Sequence, residues 1–180
     1  MTKYRRTTVI LAVVLVAVVL SGTAVAYMFR RTEAKNNQFT PAQVSCEIDE
    51  ELSDDGDQKV NIWVRNTGNI NAYLRLRFVT YWVDADGNIL GKPATMAEVS
   101  MDAGWLKGSN DTYYYYEPVS PEESTGPLLA EPIDLPVDAE GNRQVIEVIA
   151  EAIQSVPTDA VKGSWGVTVN DTTKEITGVP

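Results

Sequence analysis

Tyr73–Val83 reads YLRLRFVTYWV. At period two, Leu74, Leu76, Phe78 and Trp82 share one face and Arg75, Arg77 and Tyr81 share the other, which is the signature of a strand with one side in a core. The pattern recurs on both sides of it. Val60, Ile62 and Val64 alternate with Asn61, Trp63 and Arg65. Within Gln144–Gln154, the residues Ile146, Val148, Ala150 and Ala152 alternate with Glu147, Ile149, Glu151 and Ile153. Val44–Ile48 and Trp165–Val169 read as a first and a closing strand. Between these runs, Asp54–Asp57, Asn66–Asn69, Asp84–Asn88 and Glu140–Asn142 are rich in residues that tolerate positive φ. Pro118, Pro121, Pro127, Pro132 and Pro136 punctuate a long irregular stretch, and one short helix is expected over Thr158–Lys162, between Pro157 and Gly163. Roughly seven or eight short strands separated by turns predict an all-β fold, a Greek-key β-sandwich over residues 44–180 without internal repeats.

Upstream of this body the composition changes. Lys3, Arg5 and Arg6 precede Val9–Leu20, an unbroken run of 12 apolar residues. Ser21-Gly22-Thr23 ends the run, and Ala24-Val25-Ala26 presents the small-x-small pattern read by signal peptidases. Residues 1–26 are therefore expected to be a signal peptide with a helical apolar region, cut between Ala26 and Tyr27. Retention as an anchor is the alternative, because Val9–Phe29 carries no charge over 21 residues, and about 20 suffice to span a bilayer. Residues 27–43 are polar and uncommitted, and read as an extended arm.

The chain has 180 residues, 15 basic and 25 acidic, with no histidine and one cysteine. Without imidazole there is no Ser-His-Asp or Cys-His catalysis and no HExxH zinc site. One thiol makes neither an internal disulfide nor a multi-cysteine zinc site. An acidic chain without a basic stripe does not suit nucleic acid. The expected product is not an enzyme and needs no cofactor.

Three features remain as candidates for chemistry. The acidic stretch Glu47, Asp49, Glu50, Glu51, Asp54, Asp55 and Asp57, and the run Asp84-x-Asp86-Gly87-Asn88, offer the oxygens that calcium takes. They also suit plain solvated hairpin turns, the reading favoured by their turn chemistry. Tyr113, Tyr114, Tyr115 and Tyr116 alternate in a strand, with Tyr113 and Tyr115 on one side and Tyr114 and Tyr116 on the other, so that one pair could enter a core while the other forms an aromatic surface for sugars or a partner; a plain strand with large cross-strand pairs is the reading that β-propensity favours. Glu122, Glu123, Glu147 and Glu151 hold the carboxylates that glycoside hydrolysis would need, but no spacing pairs them, and solvated charge is the simpler reading. Cys46 is expected to be a buried, inert thiol.

Gly22–Phe29, followed by Asn37–Val44, resembles the export-signal junction of the TasA/camelysin-like proteins of Gram-positive bacteria, which a SipW-type signal peptidase processes. Val64–Asn69, Tyr113–Tyr116 and Pro118–Thr125 resemble the β-sandwich bodies of related exported or pilin-like proteins. The resemblance implies a jelly-roll-like subunit at the cell surface or in biofilm matrix. It also implies fibres in which a freed N-terminal arm completes a neighbour's sheet. Camelysin-like members have been classed as metallopeptidases, but a chain without histidine or a recognisable zinc site does not inherit that activity.

Charge agrees with an arm that docks, while the polar composition suits a solvated, disordered arm equally well. Residues 27–35 carry a net charge of +2, and residues 36–180 a net charge of −15, so an arm should be drawn to a neighbouring body. Tyr27, Met28 and Phe29 offer apolar anchors, Arg30 and Arg31 the charge, and Phe39 a further anchor. The expected function is a secreted structural subunit of a surface or matrix filament, its partners being further copies, other matrix or surface proteins and the signal peptidase. Contact with the membrane is expected only before cleavage. A monomeric β-sandwich binding module for carbohydrate or protein is the alternative.

Overall fold

The computed structural model describes residues 12–16 and 41–180. The chain divides into two units, Met1–Thr40 and Pro41–Pro180. In the first, residues 12–16 are helical, with Val13, Val14, Leu15 and Val16 all exposed. Among the described residues no helix is long and apolar enough to cross a membrane. The cleavage residues Ala24, Ala26 and Tyr27, and the arm residues Met28, Phe29, Arg30, Arg31 and Phe39, lie outside the described residues. The unit boundary at Thr40 falls a few residues before the expected end of the arm.

The second unit is all-β with one helix. Its strands are β1 (Cys46–Leu52), β2 (Gln58–Asn66), β3 (Ala72–Val83), β4 (Ile89–Leu90), β5 (Trp105–Lys107), β6 (Thr112–Tyr115), β7 (Ile133–Asp134) and β8 (Arg143–Gln154). The helix α1 (Thr158–Trp165) and the hairpin strands β9 (Thr168–Val169) and β10 (Ile176–Gly178) follow. All pairings between strands are antiparallel.

The alternating run of β3 forms the spine. It pairs with β8 over its whole length, from Ala72 opposite Gln154 to Val83 opposite Arg143. Its other edge takes β6 at Arg75–Arg77 and β4 at Trp82–Val83, and β5 extends β6. A second sheet has the order β1-β2-β7. The main core joins residues from both sheets: Ile62 and Val64 of β2, Leu74, Leu76 and Phe78 of β3, and Ile146 and Val148 of β8. In register, the partners of Leu74, Leu76 and Phe78 are Ala152, Ala150 and Val148, so small residues face large ones and the layer closes without overpacking. Trp82, expected inward, is only half-buried at the sheet end, where its Nε1 donates to Pro93 O at 3.1 Å.

The proline-rich stretch is built into the fold. Asn66 N donates to Glu123 O, Thr125 N to Val64 O and Leu128 N to Ile62 O, each at 2.9 Å, so this stretch runs along β2 as a strand would and buries Val119, Leu128 and Leu129. Backbone groups of β2 that would otherwise be orphaned inside are thereby satisfied.

Two boundaries differ from expectation. β1, with four acidic residues, extends to Leu52, and β2 supplies cations for two of them: Arg65 binds Glu47, and Lys59 Nζ reaches Glu50 Oε2 at 2.6 Å. The closing strand is shorter than Trp165–Val169. Trp165 ends α1, where Val161 and Trp165, four residues apart, form one buried face. Gly166, at φ 69°, then stops the helix, and its N–H donates to Lys162 O. With β9 and β10, this helix covers the second face of the β3 sheet. Tyr73, Tyr114, Val161, Trp165, Val167, Val169 and Ile176 form a separate apolar cluster there.

Candidate functional site

The oxygen-rich turns resolve into a repeated device. Val83-Asp84-Ala85-Asp86-Gly87-Asn88 and Val137-Asp138-Ala139-Glu140-Gly141-Asn142 differ only in an Asp for a Glu, and they fold alike. In each, the aspartate Oδ1 accepts two backbone N–H groups, from Asp86 and Asn88 or from Glu140 and Asn142, at 2.8–3.0 Å. Its Oδ2 accepts the Asn side-chain amide at 2.9 Å and 2.8 Å respectively. Gly87 and Gly141 both stand at φ 85°, a conformation that side chains resist. These hydrogen bonds hold the Asp84 carboxyl below its ordinary value, Asn88 contributing most. Asp138 is held lower still, first by Lys92 and then by Asn142. The expectation of no internal repeat is therefore corrected at the level of turns. Both lead carboxylates are hydrogen-bonded within their own loops, the hairpin-turn arrangement, and Asp138 is also paired with Lys92. Among the described residues, no three acidic or thiol groups converge to hold a metal ion.

The four tyrosines split across the sheet. Tyr113 is fully buried in the main core, its ring 5.3 Å from that of Phe78. Tyr114 is buried on the opposite face, with ring centroids 5.9 Å from Trp165. One tyrosine of each pair is thus interior, Tyr113 and Tyr114 being removed from any aromatic surface. Period-two alternation separates them as expected, but α1 covers the side that alternation alone leaves open. Tyr115 and Tyr116 are half-buried and stack edge-on at 5.4 Å. With Gly104, Leu106 and Ile176 they line a shallow groove of about 430 Å³.

The candidate carboxylates are dispersed. Glu122 pairs with Arg65 of β2 at 3.3 Å, whereas Glu151 accepts from Arg75 Nε of β3 at 2.7 Å. Each is held by an arginine on a different sheet, an arrangement that neutralises charge rather than concentrating it. Cys46 is half-buried against the main core, and burial raises its thiol pKa, with Glu151 adding to the shift.

The feature that alternation alone did not reveal is an edge. β1 ends its sheet, and among the described residues its one partner is β2. Glu47, Asp49 and Glu51 lie on one face of it and are exposed. The chain enters β1 through a segment fixed to the Asn66–Asn69 corner. Gln43 N donates to Asn69 Oδ1 at 2.7 Å, Asn69 N to Gln43 O at 3.0 Å, Asn69 Nδ2 to Pro41 O at 2.9 Å, and Thr67 N to Ser45 O at 3.1 Å. Buried Asn66 braces the corner, its amide donating to Ile70 O and Val119 O at 2.8 Å while its Oδ1 accepts Gly68 N at 2.9 Å. Gln43 thus belongs to the body rather than to the arm. Comparison with family models, with curated proteins and with solved structures finds no match to this chain.

Proposed function

We propose that the protein is an exported structural subunit of a surface or matrix filament of the TasA-like kind. In this reading the two sheets form a jelly-roll-like sandwich, the apolar leader is removed after Ala26, and the freed segment 27–40 adds to the β1 edge of the next copy. The observation that carries it is the β1 edge, whose only strand partner among the described residues is β2 and which bears Glu47, Asp49 and Glu51. An unpaired edge is a template for strand addition. The residues available to fill it, 27–35, have net charge +2, opposite to the body. The anchored corner at residues 41–45 supports the same reading, since it fixes the point from which an arm departs. A head-to-tail contact of this kind grows as a filament when its rotation does not close into a ring.

Electron microscopy and size-exclusion of residues 27–180 beside residues 41–180 test it. Filaments from the longer chain and monomers from the shorter are expected. A longer chain that stays monomeric at every concentration overturns the proposal.

A further inference from the structure

The helix α1 and the β9–β10 hairpin cover only part of the second face of the β3 sheet. Tyr73 and Tyr114 are buried beneath them, and Arg75, paired with Glu151, lies against Trp165. Beyond that row, three cross-strand pairs of β3 and β8 continue the same face: Arg77 opposite Ile149, Val79 opposite Glu147, and Tyr81 opposite Val145. Arg77, Val79 and Glu147 are exposed, Val79 to 38%, while Ile149, Tyr81 and Val145 are half-buried. A sheet face left to water normally carries polar residues, as β1 does with Glu47, Asp49 and Glu51. Here two charges stand among Val79, Ile149, Val145 and the ring of Tyr81. An apolar patch rimmed by charge suits contact with another protein surface.

The two charges indicate which surface. Arg77 and Glu147 stand at opposite corners of a square that Val79 and Ile149 complete. Neither makes an ion pair among the described residues. Neighbouring strands lie about 4.8 Å apart, and same-face residues along a strand about 6.8 Å. A two-fold axis in the plane of contact, close to the Val79–Ile149 diagonal, therefore exchanges the charged corners. Each Arg77 then meets the partner's Glu147, and Val79 and Ile149 pack on their own counterparts at the centre. The patch is thus complementary to itself, as a two-fold interface must be. The strands of the two copies cross closer to the orthogonal than to the aligned class of sheet packing. The chain carries 25 acidic against 15 basic residues, so copies repel each other except where a cation is brought onto an acid. We infer that this half-face is a self-association surface, on which two copies pack back to back with reciprocal Arg77–Glu147 pairs around Val79 and Ile149. The inference uses neither the β1 edge nor the arm, so it stands or falls apart from filament assembly.

Disulfide trapping of the full chain in detergent tests it, with Cys46→Ser throughout so that only the introduced thiol reacts. Val79→Cys, beside the axis, should give a covalent dimer. Glu123→Cys, exposed beside β2 on the other sheet, should not. In the Val79→Cys chain, Arg77→Glu and Glu147→Lys should each lower the dimer yield about tenfold, because each turns two attractive contacts repulsive. Mixing the two single reversals should restore crosslinking between them, and combining both in one chain should restore it as well. All of these changes fall on exposed or half-buried side chains, so the circular dichroism should match that of the unaltered chain. The inference is overturned if Val79→Cys gives no dimer, if either single reversal crosslinks as well as its parent, or if the mixture fails to recover. A monomer whose Val79→Cys thiol resists maleimide would put another segment of the same chain on the face and would overturn it too.

Discussion

The guanidinium of Arg75 lies 4.6 Å from the centroid of the Trp165 ring. Arg75 is fixed there from its own sheet, since its Nε donates to Glu151 on the neighbouring β8 at 2.7 Å. Trp165 in turn closes α1 over Tyr73 and Tyr114. The contact therefore clamps the C-terminal helix and hairpin to the second face of the β3 sheet. Trp165→Ala should cost about 3–5 kcal/mol, the usual range for emptying a large aromatic site. Arg75→Lys keeps the charge but loses the planar stack, and should cost about 1 kcal/mol. Urea unfolding followed by tryptophan fluorescence measures both. No loss for Arg75→Lys beside a full loss for Trp165→Ala would mean that charge, not planar stacking, makes the contact.

Gly68 allows the entry segment to lie against the Asn66 corner. A Cβ at this position would stand 2.4 Å from Gln43 O and 3.1 Å from Ser45 N, both backbone atoms that no rotamer change can move aside. Gly68→Ala should therefore lever residues 41–45 off the corner and cost about 1–3 kcal/mol, as overpacking does. Hydrogen exchange at Asn69 and Thr67, whose N–H groups bond Gln43 O and Ser45 O, should rise well above that of the β3 amides. Unchanged protection at both would show that the segment relaxes without releasing its bonds.

The spine of this fold is legible in the residues because β3, β8 and β2 alternate cleanly, and a pleated strand converts alternation directly into two faces. What alternation cannot tell is whether a second face is covered. Tyr73 and Tyr114 stand on the side that the pattern leaves open and are buried by α1 and the β9–β10 hairpin, elements whose own apolar residues are too few and too scattered to announce a docking face. The stretch Val119–Leu129 has no period because its place along β2 is set by backbone hydrogen bonds and prolines. The β1 edge is legible only as a short strand. Its two ion pairs, Arg65 with Glu47 and Lys59 with Glu50, join β2 to acids of β1 that look, in isolation, like solvated loop.

Acid should undo the turns in a defined window. The folded pKa values of Asp138, Asp84 and Asp171 are all depressed below the ordinary 3.8. Lys92 and Asn142 hold Asp138, Asn88 holds Asp84, and Lys162 and Thr158 hold Asp171. A carboxyl with a lowered folded pKa contributes stability that is complete above its unfolded value and is lost as pH falls through the folded one. Stability should thus be flat above about pH 5 and decline below about pH 4. Asp138→Asn should be less stable than the unaltered chain at neutral pH, with the gap closing as pH falls below 3.8. Thermal unfolding at stepped pH measures this. A gap that stays constant down to about pH 2 would show that the Asp138 charge does not contribute.

If the arm adds to the β1 edge, charge should govern assembly more than it governs folding. Asp49 and Glu51 share the exposed face of β1 and have no ion-pair partner among the described residues. Opposite charges placed across two strands contribute roughly 0.2–1 kcal/mol each, so reversing both acids should shift the critical concentration for filaments while leaving monomer unfolding unchanged. Raising salt should act in the same direction, because exposed charges are screened beyond about 10 Å at 0.1 M. The decisive variant is a swap. Asp49→Lys with Glu51→Lys should abolish filaments of residues 27–180, and adding Arg30→Glu with Arg31→Glu should restore them. Restoration by the swap can arise only if arm and edge meet, because neither pair of reversals alone improves the attraction. Light scattering against concentration reads the outcome, and a swap that remains monomeric while folding normally would place the assembly contact elsewhere.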